Sequence, residues 1–258
     1  MIKKGILSMM AVVLAASAQA QFYAKIGVGV NMPAANTVVA KKTTATDQEV
    51  VKGSFGKGIS PVLGIGYMFN PNVGVEVAAS YLLGGKYEST STLQGTTTTT
   101  DMKANGITVL PAVVLKTGDN DKKIRLYSRA GLMVNLGPKF TQNMKSVSGT
   151  ITSEQTTEYK SNLSLGYTGA LGVSFRLNKM IGIWVEAVGN STSSWLKSGE
   201  ITASSVNGVD NLSAIPAITK SWDYTDKLST TSSDRLAYSE PMSSIGLAIG
   251  ATFTFGNK

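Results

Sequence analysis

The stretch Phe22-Tyr-Ala-Lys-Ile-Gly-Val-Gly-Val-Asn-Met32 places apolar side chains at its even positions and tyrosine, lysine, glycine or asparagine at its odd positions. A period of two residues is typical of a β-strand whose two faces meet different surroundings. The closing stretch Ile245 to Phe255 alternates in the same way, with small residues opposite its apolar ones. Both ends of the chain therefore predict strands of the same kind.

Six further segments between these two stretches repeat the alternation, and none of the apolar-face positions carries a charge. The six predicted strands are 59–70, 73–84, 107–115, 124–136, 162–177 and 181–190. The opposite faces are rich in glycine and hydroxyl side chains and hold a few charged ones. A soluble barrel has the reverse arrangement, with an apolar interior and a charged exterior. The bulky uncharged face therefore predicts contact with lipid and the small face a narrow lumen, in preference to a soluble sandwich.

The connections alternate in length along the chain, starting with a long one. The long connections are 34–58, 87–104, 140–160 and 191–243, and tight turns such as Asn70-Pro71-Asn72 lie between them. Outer-membrane barrels combine short periplasmic turns with longer extracellular loops. The pattern predicts an all-β fold, an eight-stranded antiparallel up-and-down transmembrane β-barrel with both termini in the periplasm. Pro61 and Pro111 oppose this prediction, because each removes a ladder hydrogen bond in a sheet without edges.

Composition excludes several functions. The chain of 258 residues contains neither cysteine nor histidine, and only 16% of its residues are charged. Disulfide scaffolds, zinc-thiolate sites, cysteine nucleophiles and Ser-His-Asp relays are thereby excluded. The net charge of +8 is spread along the chain and not gathered in blocks, so it does not indicate nucleic acid as a partner.

The first twenty residues have the pattern of an export signal. Lys3 and Lys4 precede an apolar or small run from Gly5 to Ala18, and Ala18-Gln19-Ala20 supplies a cleavage pattern. The run is too short for a transmembrane helix, which needs roughly 20 apolar residues. We predict cleavage after Ala20 and one barrel domain over residues 21–258.

Aromatic residues cluster on the apolar face at strand ends that this topology assigns to the periplasmic side. Bulky rings are expected near the lipid headgroups of a membrane barrel. The predicted girdle consists of Phe22, Tyr67, Phe69, Phe175, Phe253 and Phe255.

The whole pattern resembles the small outer-membrane barrels of the OmpA and OmpX type, and the porin-like outer-membrane proteins of Bacteroidetes. The residues that carry the likeness are Gln21 to Met32, the turn segment Asn70 to Glu76 and the closing Gly250 to Phe255. The resemblance implies a Gram-negative outer membrane, contact with its lipids and lipopolysaccharide, and assembly by the barrel-assembly machinery. It departs from the family at the terminus, where Gly256-Asn257-Lys258 follow the final aromatic residue.

Three charged residues are the candidate site. Glu76, Arg129 and Glu186 are predicted to point into the lumen, where an unpaired charge is costly, so Arg129 should pair with one or both glutamates. Such a cluster either fills the interior or acts as a gate that opens to ions. Four other cations, Lys25, Lys116, Arg125 and Arg176, are expected to be solvated at the periplasmic mouth.

The predicted function is non-enzymatic, with a structural or surface-interaction role, and no cofactor or metal is expected. The alternative is a narrow porin-like channel for ions or small solutes. Membrane enzymes that resemble this architecture rely on a catalytic histidine, which this chain lacks. Trp195, Trp222 and Tyr224 in the longest loop either contact an extracellular partner or form a small core within the loop.

Overall fold

The computed structural model describes residues 21–44, 46–119, 121–228 and 233–255. The predicted signal peptide over residues 1–20 and the terminal Gly256-Asn257-Lys258 lie outside these ranges. The strands within them are β1 (Gln21–Pro33), β2 (Thr37–Thr43), β3 (Gln48–Gly53), β4 (Gly58–Met68), β5 (Val73–Gly84), β6 (Tyr87–Leu93), β7 (Thr96–Lys116), β8 (Ile124–Asn135), β9 (Lys139–Ser148), β10 (Ile151–Ser161), β11 (Ser164–Arg176), β12 (Ile181–Ser191), β13 (Ser193–Val206), β14 (Val209–Asp210), β15 (Ser221–Thr225), β16 (Arg235–Leu236), β17 (Ser239–Pro241) and β18 (Ser244–Phe255).

Eight of these strands close into a barrel. The order around it is β1, β4, β5, β7, β8, β11, β12 and β18, and each strand is antiparallel to the next. The last strand returns to the first, with Phe22 opposite Phe255 and Met32 opposite Ile245. The predicted eight-stranded antiparallel barrel is confirmed.

Alternation along each strand separates the two faces of the barrel. Apolar side chains such as Leu63, Ile65, Leu165 and Leu171 point outward and are exposed. Inward positions are buried and combine small, polar and charged residues with a few apolar ones. Because the side-chain period is two, the whole apolar set of a strand lies on one side of the sheet.

The two prolines are accommodated without a bulge. The β4–β5 ladder pairs Ile59 with Leu83 and Val62 with Ser80, so it skips Pro61 and its neighbour while its register is unchanged. The β7–β8 ladder likewise skips Leu110 and Pro111. Each proline therefore interrupts one ladder locally and remains paired on its other side.

The long connections extend the sheet beyond the barrel at one end, which we call the loop end; the opposite end is the turn end. Hairpins β2–β3 and β9–β10 occupy the predicted loops, and the upper part of β7 pairs with both β6 and β9. The run Thr96 to Thr100, which lies in the predicted long connection 87–104, is therefore strand, since threonine is β-branched and favours an extended backbone. The strands and loops beyond the barrel form the loop half of the molecule.

Helical structure is minor in the described residues: a 3₁₀ turn at Leu212–Ala214 and one helical turn at Ala217–Lys220. Neither has the length or the apolar character that a helix needs to cross a bilayer.

Candidate functional site: a charge cluster in the lumen

Four charged side chains from four barrel strands meet inside the barrel and form the charge cluster: Lys25, Glu76, Arg129 and Glu186. All four are buried. Arg129 Nη2 donates to Glu186 Oε1 at 2.8 Å, and Arg129 Nε lies 3.6 Å from Glu76 Oε1. Lys25 Nζ lies 3.3 Å from Glu76 Oε1 and 3.6 Å from Glu186 Oε2. Each cation therefore contacts both carboxylates, and the formal charges cancel.

Two tyrosines complete the carboxylate shells. The Tyr23 hydroxyl donates to Glu76 Oε2 at 2.8 Å, and the Tyr127 hydroxyl donates to Glu186 Oε2 at 2.9 Å. Hydrogen bonds to ionised groups are stronger than those between neutral groups, so these hydroxyls offset part of the desolvation of the glutamates.

The arrangement has a pseudo-twofold relation around the barrel. Tyr23 and Lys25 lie on β1, and Tyr127 and Arg129 lie on β8, four strands further around. Glu76 on β5 and Glu186 on β12 are also four strands apart. The motifs Tyr23-Ala-Lys25 and Tyr127-Ser-Arg129 thus each supply one hydroxyl donor and one cation to the glutamates, from opposite walls of the barrel.

Two glycines make room for the tyrosine rings. Gly66 on β4 and Gly172 on β11 lie between each tyrosine and its glutamate, and a Cβ at either would come within 2.5 Å of the ring. Such a separation is far below van der Waals contact, so only glycine lets each ring cross the neighbouring strand. This explains part of the glycine enrichment of the lumen face.

Trp184 closes the cluster on the side of the loop end. Lys25 Nζ lies 4.3 Å from the centre of its ring, and the ring is buried against an apolar layer. That layer consists of Val62, Ala78, Leu110, Tyr127, Met133, Trp184 and Ala248. Lys25 therefore balances two carboxylates and one aromatic face.

The structure corrects the placement of Lys25 and places the other three predicted mouth cations at the turn end. Lys25 was expected to be solvated at the mouth, but it is only 5% exposed and belongs to the charge cluster. Barrel strands are staggered, so the height of a residue cannot be read from its distance to the end of its own strand. Lys116, Arg125 and Arg176 do lie at the turn end, where they line a cavity that opens outward.

The inward side chains of β8 show the layers of the lumen in order. From the turn end they include Arg125 at the mouth, Arg129 in the charge cluster, Met133 in the apolar layer and Asn135 in a small cavity. The cavity, about 40 Å³ in volume, is lined by polar groups such as Ser60 and Asn135 together with apolar side chains such as Leu110.

Above this cavity the loop half has its own apolar core. The loop core consists of Phe55, Leu82, Tyr87, Ala104, Phe140, Tyr159, Leu196, Ile201, Trp222 and Met242. Phe140 is fully buried and meets the Phe55 ring edge-on at 5.4 Å. The loop core therefore covers the loop end of the lumen.

The three aromatic residues singled out in the longest loop have different surroundings. Trp222 belongs to the loop core and Tyr224 packs against it, while Trp195 is exposed. The side chain of Arg235 stacks on the Trp222 ring at 3.5 Å. The small-core alternative holds for Trp222 and Tyr224, and Trp195 remains available for contact.

The predicted aromatic girdle lies at the turn end. Phe22 is opposite Tyr67 on one side and Phe255 on the other, and its ring is 4.8 Å from that of Tyr67. Tyr67 contacts Phe69, Phe253 lies opposite Ala24, and Phe175 stands apart on β11. Five of the six therefore form one patch on three neighbouring strands.

Sequence reasoning brought Glu76, Arg129 and Glu186 together but missed Lys25 and both tyrosines. The alternation along the strands could have identified them, because Tyr23, Lys25, Tyr127 and Arg129 all occupy lumen-face positions. Within the described ranges no group of three or more carboxylates could hold a metal ion.

The chain matches a family of outer-membrane barrels and is similar in fold to solved barrel structures. Residues 5–214 match the family model described as the outer membrane protein beta-barrel domain. The solved structure of Neisserial surface protein A is 12% identical, covers 90% of this chain and 96% of its own, and has a TM-score of 0.43. OprG from Pseudomonas aeruginosa is 11% identical over 93% of this chain and 97% of its own, with a TM-score of 0.47. No curated protein sequence matches the chain.

Proposed function

The chain belongs to the outer membrane protein β-barrel domain family, and we propose that it is a non-enzymatic barrel that conducts no ions and displays its loop half at the cell surface. With the loop half at the cell surface, the turn end faces the periplasm and the outward apolar band contacts the lipids of the outer membrane. The loop half lies outside, among the lipopolysaccharide, where Trp195 and the polar outer faces of the hairpins meet extracellular partners.

The observation that carries the proposal is the double closure of the lumen. The charge cluster and the apolar layer behind it fill the barrel, and the loop core covers its outer end. Eight strands leave a lumen that side chains can fill completely. A solute would have to break the ion pairs and also part the buried aromatic rings.

A narrow channel is the second candidate, and the charge cluster is the observation that favours it. Each cation touches both carboxylates, so a shift of one side chain leaves the other pairs intact. Stepwise exchange of partners is one way in which a lumen can open without a full unpaired charge.

Single-channel recording in planar bilayers separates the two candidates. We expect a closed baseline from the refolded wild-type protein and from Thr99→Lys, a change on the outer face of the loop half. Steady openings of the wild type that change in size or disappear in Arg129→Met would establish the channel and overturn the closed-barrel proposal. Migration of the unboiled refolded sample as a compact band checks that the barrel is folded in all three proteins.

A further inference from the structure

Three lysines lie side by side on the outer face of the loop half, next to the outward apolar band of the barrel. Lys139 on β9 lies opposite Asn105 on β7 and opposite Lys160 on β10. Lys160 lies opposite Ser198 on β13, and Lys197 is the extra residue where the register of this pair shifts. All three lysines are exposed. We call Lys139, Lys160 and Lys197 the lysine row.

The charges of the lysine row are only partly compensated. Lys139 and Lys160 are directly opposite, and like charges in opposite positions of an antiparallel pair are destabilising. Glu158 Oε2 lies 2.6 Å from Lys139 Nζ, whereas no carboxylate of the described residues lies within salt-bridge distance of Lys160 or Lys197. Asp223 on β15 ends the row, and β13 separates it from Lys160. An anion bound beside Lys160 and Lys197 would offset the repulsion.

The outer face is apolar on the side of the lysine row that leads to the barrel. Ile107 lies two residues beyond Asn105 on β7, and Leu136 and Leu163 lie just outside β9 and β10. All three apolar side chains are exposed, as is Trp195, two residues before Lys197 on β13. Tryptophan is typical of the headgroup level of a membrane. The lysine row therefore lies where the polar end of a lipid meets its chains.

The next row away from the apolar band carries acids. Glu158 on β10 lies opposite Thr141 on β9 and opposite Glu200 on β13. Two residues of a strand span about 7 Å, so these acids lie about 7 Å further out than Lys160. A soluble anion that approaches from water meets this acidic row before it reaches the lysines. A lipid phosphate is held at the depth of the headgroups and meets the lysine row directly.

We propose that the lysine row binds the phosphate group of an anionic lipid in the outer leaflet. This inference rests on the proposed function, in which the loop half lies at the cell surface. The ammonium group of lysine binds phosphate as a point charge, and lysines near a membrane surface attract anionic lipids. A phosphate between Lys160 and Lys197 supplies the missing counter-charge, while the lipid chains contact the apolar band.

Native mass spectrometry of the mature chain in nanodiscs tests the site. The nanodiscs contain phosphatidylcholine together with either diphosphoryl lipid A or its dephosphorylated form. We expect the wild type to retain the diphosphoryl form only. Lys160→Gln and Lys197→Gln should each reduce its retention by about fivefold, since each removes one cation at the membrane surface.

Lys145→Gln is the matched control, because it removes an exposed cation from the same face of β9. Lys145 lies six residues beyond Lys139, or about 20 Å further from the apolar band, so this change should leave retention unaltered. Equal retention of the two lipids by the wild type, or equal retention of the diphosphoryl form by all four folded proteins, overturns the proposal. Binding of inorganic phosphate in an uncharged detergent without any preference for the phosphorylated lipid also overturns it, in favour of a soluble anion.

A labelling experiment separates failure of this inference from failure of the proposed function. The chain contains no cysteine, so Thr99→Cys places a single thiol on the outer face of the loop half. A membrane-impermeant maleimide should label this variant on intact cells. Labelling without lipid selectivity overturns the lysine-row site alone. Absence of labelling in the folded variant overturns the proposed orientation, and the inference with it.

Discussion

The barrel and the loop half are built on the same sheet with opposite polarity. In the barrel the charges lie inside and the apolar side chains outside. In the loop half the aromatic and aliphatic core lies inside, and outward positions hold residues such as Lys145 and Glu154. The two regions belong to one continuous sheet, so their difference reflects the solvent around each one.

Strand β7 passes through both regions without a change of face. Its odd positions point outward throughout: Thr97, Thr99, Asp101, Lys103 and Asn105 lie in the loop half, and Ile107, Val109, Pro111, Val113 and Leu115 lie in the barrel. The pleat keeps its period of two, and only the chemistry of the outward set changes. In the proposed orientation, the outer-leaflet border of the membrane therefore falls near Gly106.

Stability arises differently on the two sides of this border. Water drives apolar side chains of the loop half inward, as in a soluble protein. Lipid gives no comparable drive in the barrel, where buried polar groups must find partners within the lumen. The barrel interior thus depends on the pairing of its buried charges, and the loop half depends on packing.

Removal of one cation from the charge cluster is expected to have the largest effect. Arg129→Met leaves Glu76 and Glu186 with one ammonium, and breaking a buried pair costs about 3–5 kcal/mol. Equilibrium unfolding of the refolded protein by urea in detergent micelles measures this loss. Lys160→Met, an exposed outward position in the loop half, should change the free energy of unfolding by less than about 0.5 kcal/mol. A loss below about 1 kcal/mol for Arg129→Met would contradict the dependence on pairing.

A cavity in the loop core should be nearly as costly but confined to one region. Phe140→Ala removes a fully buried ring, and such truncations cost about 3–4 kcal/mol. We expect faster proteolysis of the loops while the folded band of the barrel persists on unboiled gels, because local opening does not require global unfolding. Phe22→Ala, outward at the turn end, serves as control. Loss of the folded band in Phe140→Ala would show that the two regions are one cooperative unit.

The same substitution on β7 should have opposite consequences on the two sides of the border. Val113→Lys places an ammonium in the lipid-facing band and should destabilise the barrel by about 2–3 kcal/mol, less than at the midplane maximum. Thr99→Lys places it in water and should change stability by less than about 0.5 kcal/mol. The comparison uses one strand, one face and one measurement, unfolding by urea. Equal effects would place the membrane border elsewhere.

Sequence periodicity was sufficient for the barrel because each strand carries its own signal. The alternation between Phe22 and Met32 identifies a two-faced strand without reference to any other part of the chain. Parity also placed Glu76, Arg129 and Glu186 on the lumen face. These three side chains come into contact because the lumen of an eight-stranded barrel is narrow.

The rest depends on the relation between strands, which a single sequence does not show. Lys25 was assigned to the wrong height because the stagger of the barrel is a property of the closed sheet. The loop core draws Phe55, Phe140 and Trp222 from separate loops, and no local period links them. The pairing of Thr96 to Thr100 on both edges also depends on β6 and β9.

The smallest expected effect on stability comes from substitution of Glu240 in the loop half. This acid contrasts with the paired glutamates of the charge cluster. Burial raises the pKa of Glu240 to about 6, and no cation of the described residues lies within salt-bridge distance of it. The folded state therefore holds its proton more tightly than the unfolded state, so stability falls as the pH rises from about 4.3 to about 6. Glu240→Gln should remove this slope and stabilise the protein at pH 7 by about 1–2 kcal/mol, with no gain at pH 4.

The free energy of unfolding by urea is measured at pH 4, 5, 6 and 7 for the wild type and for Glu240→Gln. Glu154→Gln, a change on the outer face of the loop half, is the control. Glu154 is exposed and paired with Lys145 at 2.8 Å, so its removal should leave the pH dependence unchanged. A gain at pH 7 for Glu240→Gln means that the loop half tolerates one unpaired, partly buried acid, whereas the charge cluster pairs both of its own. A loss at pH 7 would mean that the ionised carboxylate is stabilised after all, and the contrast between the two regions would then be one of degree.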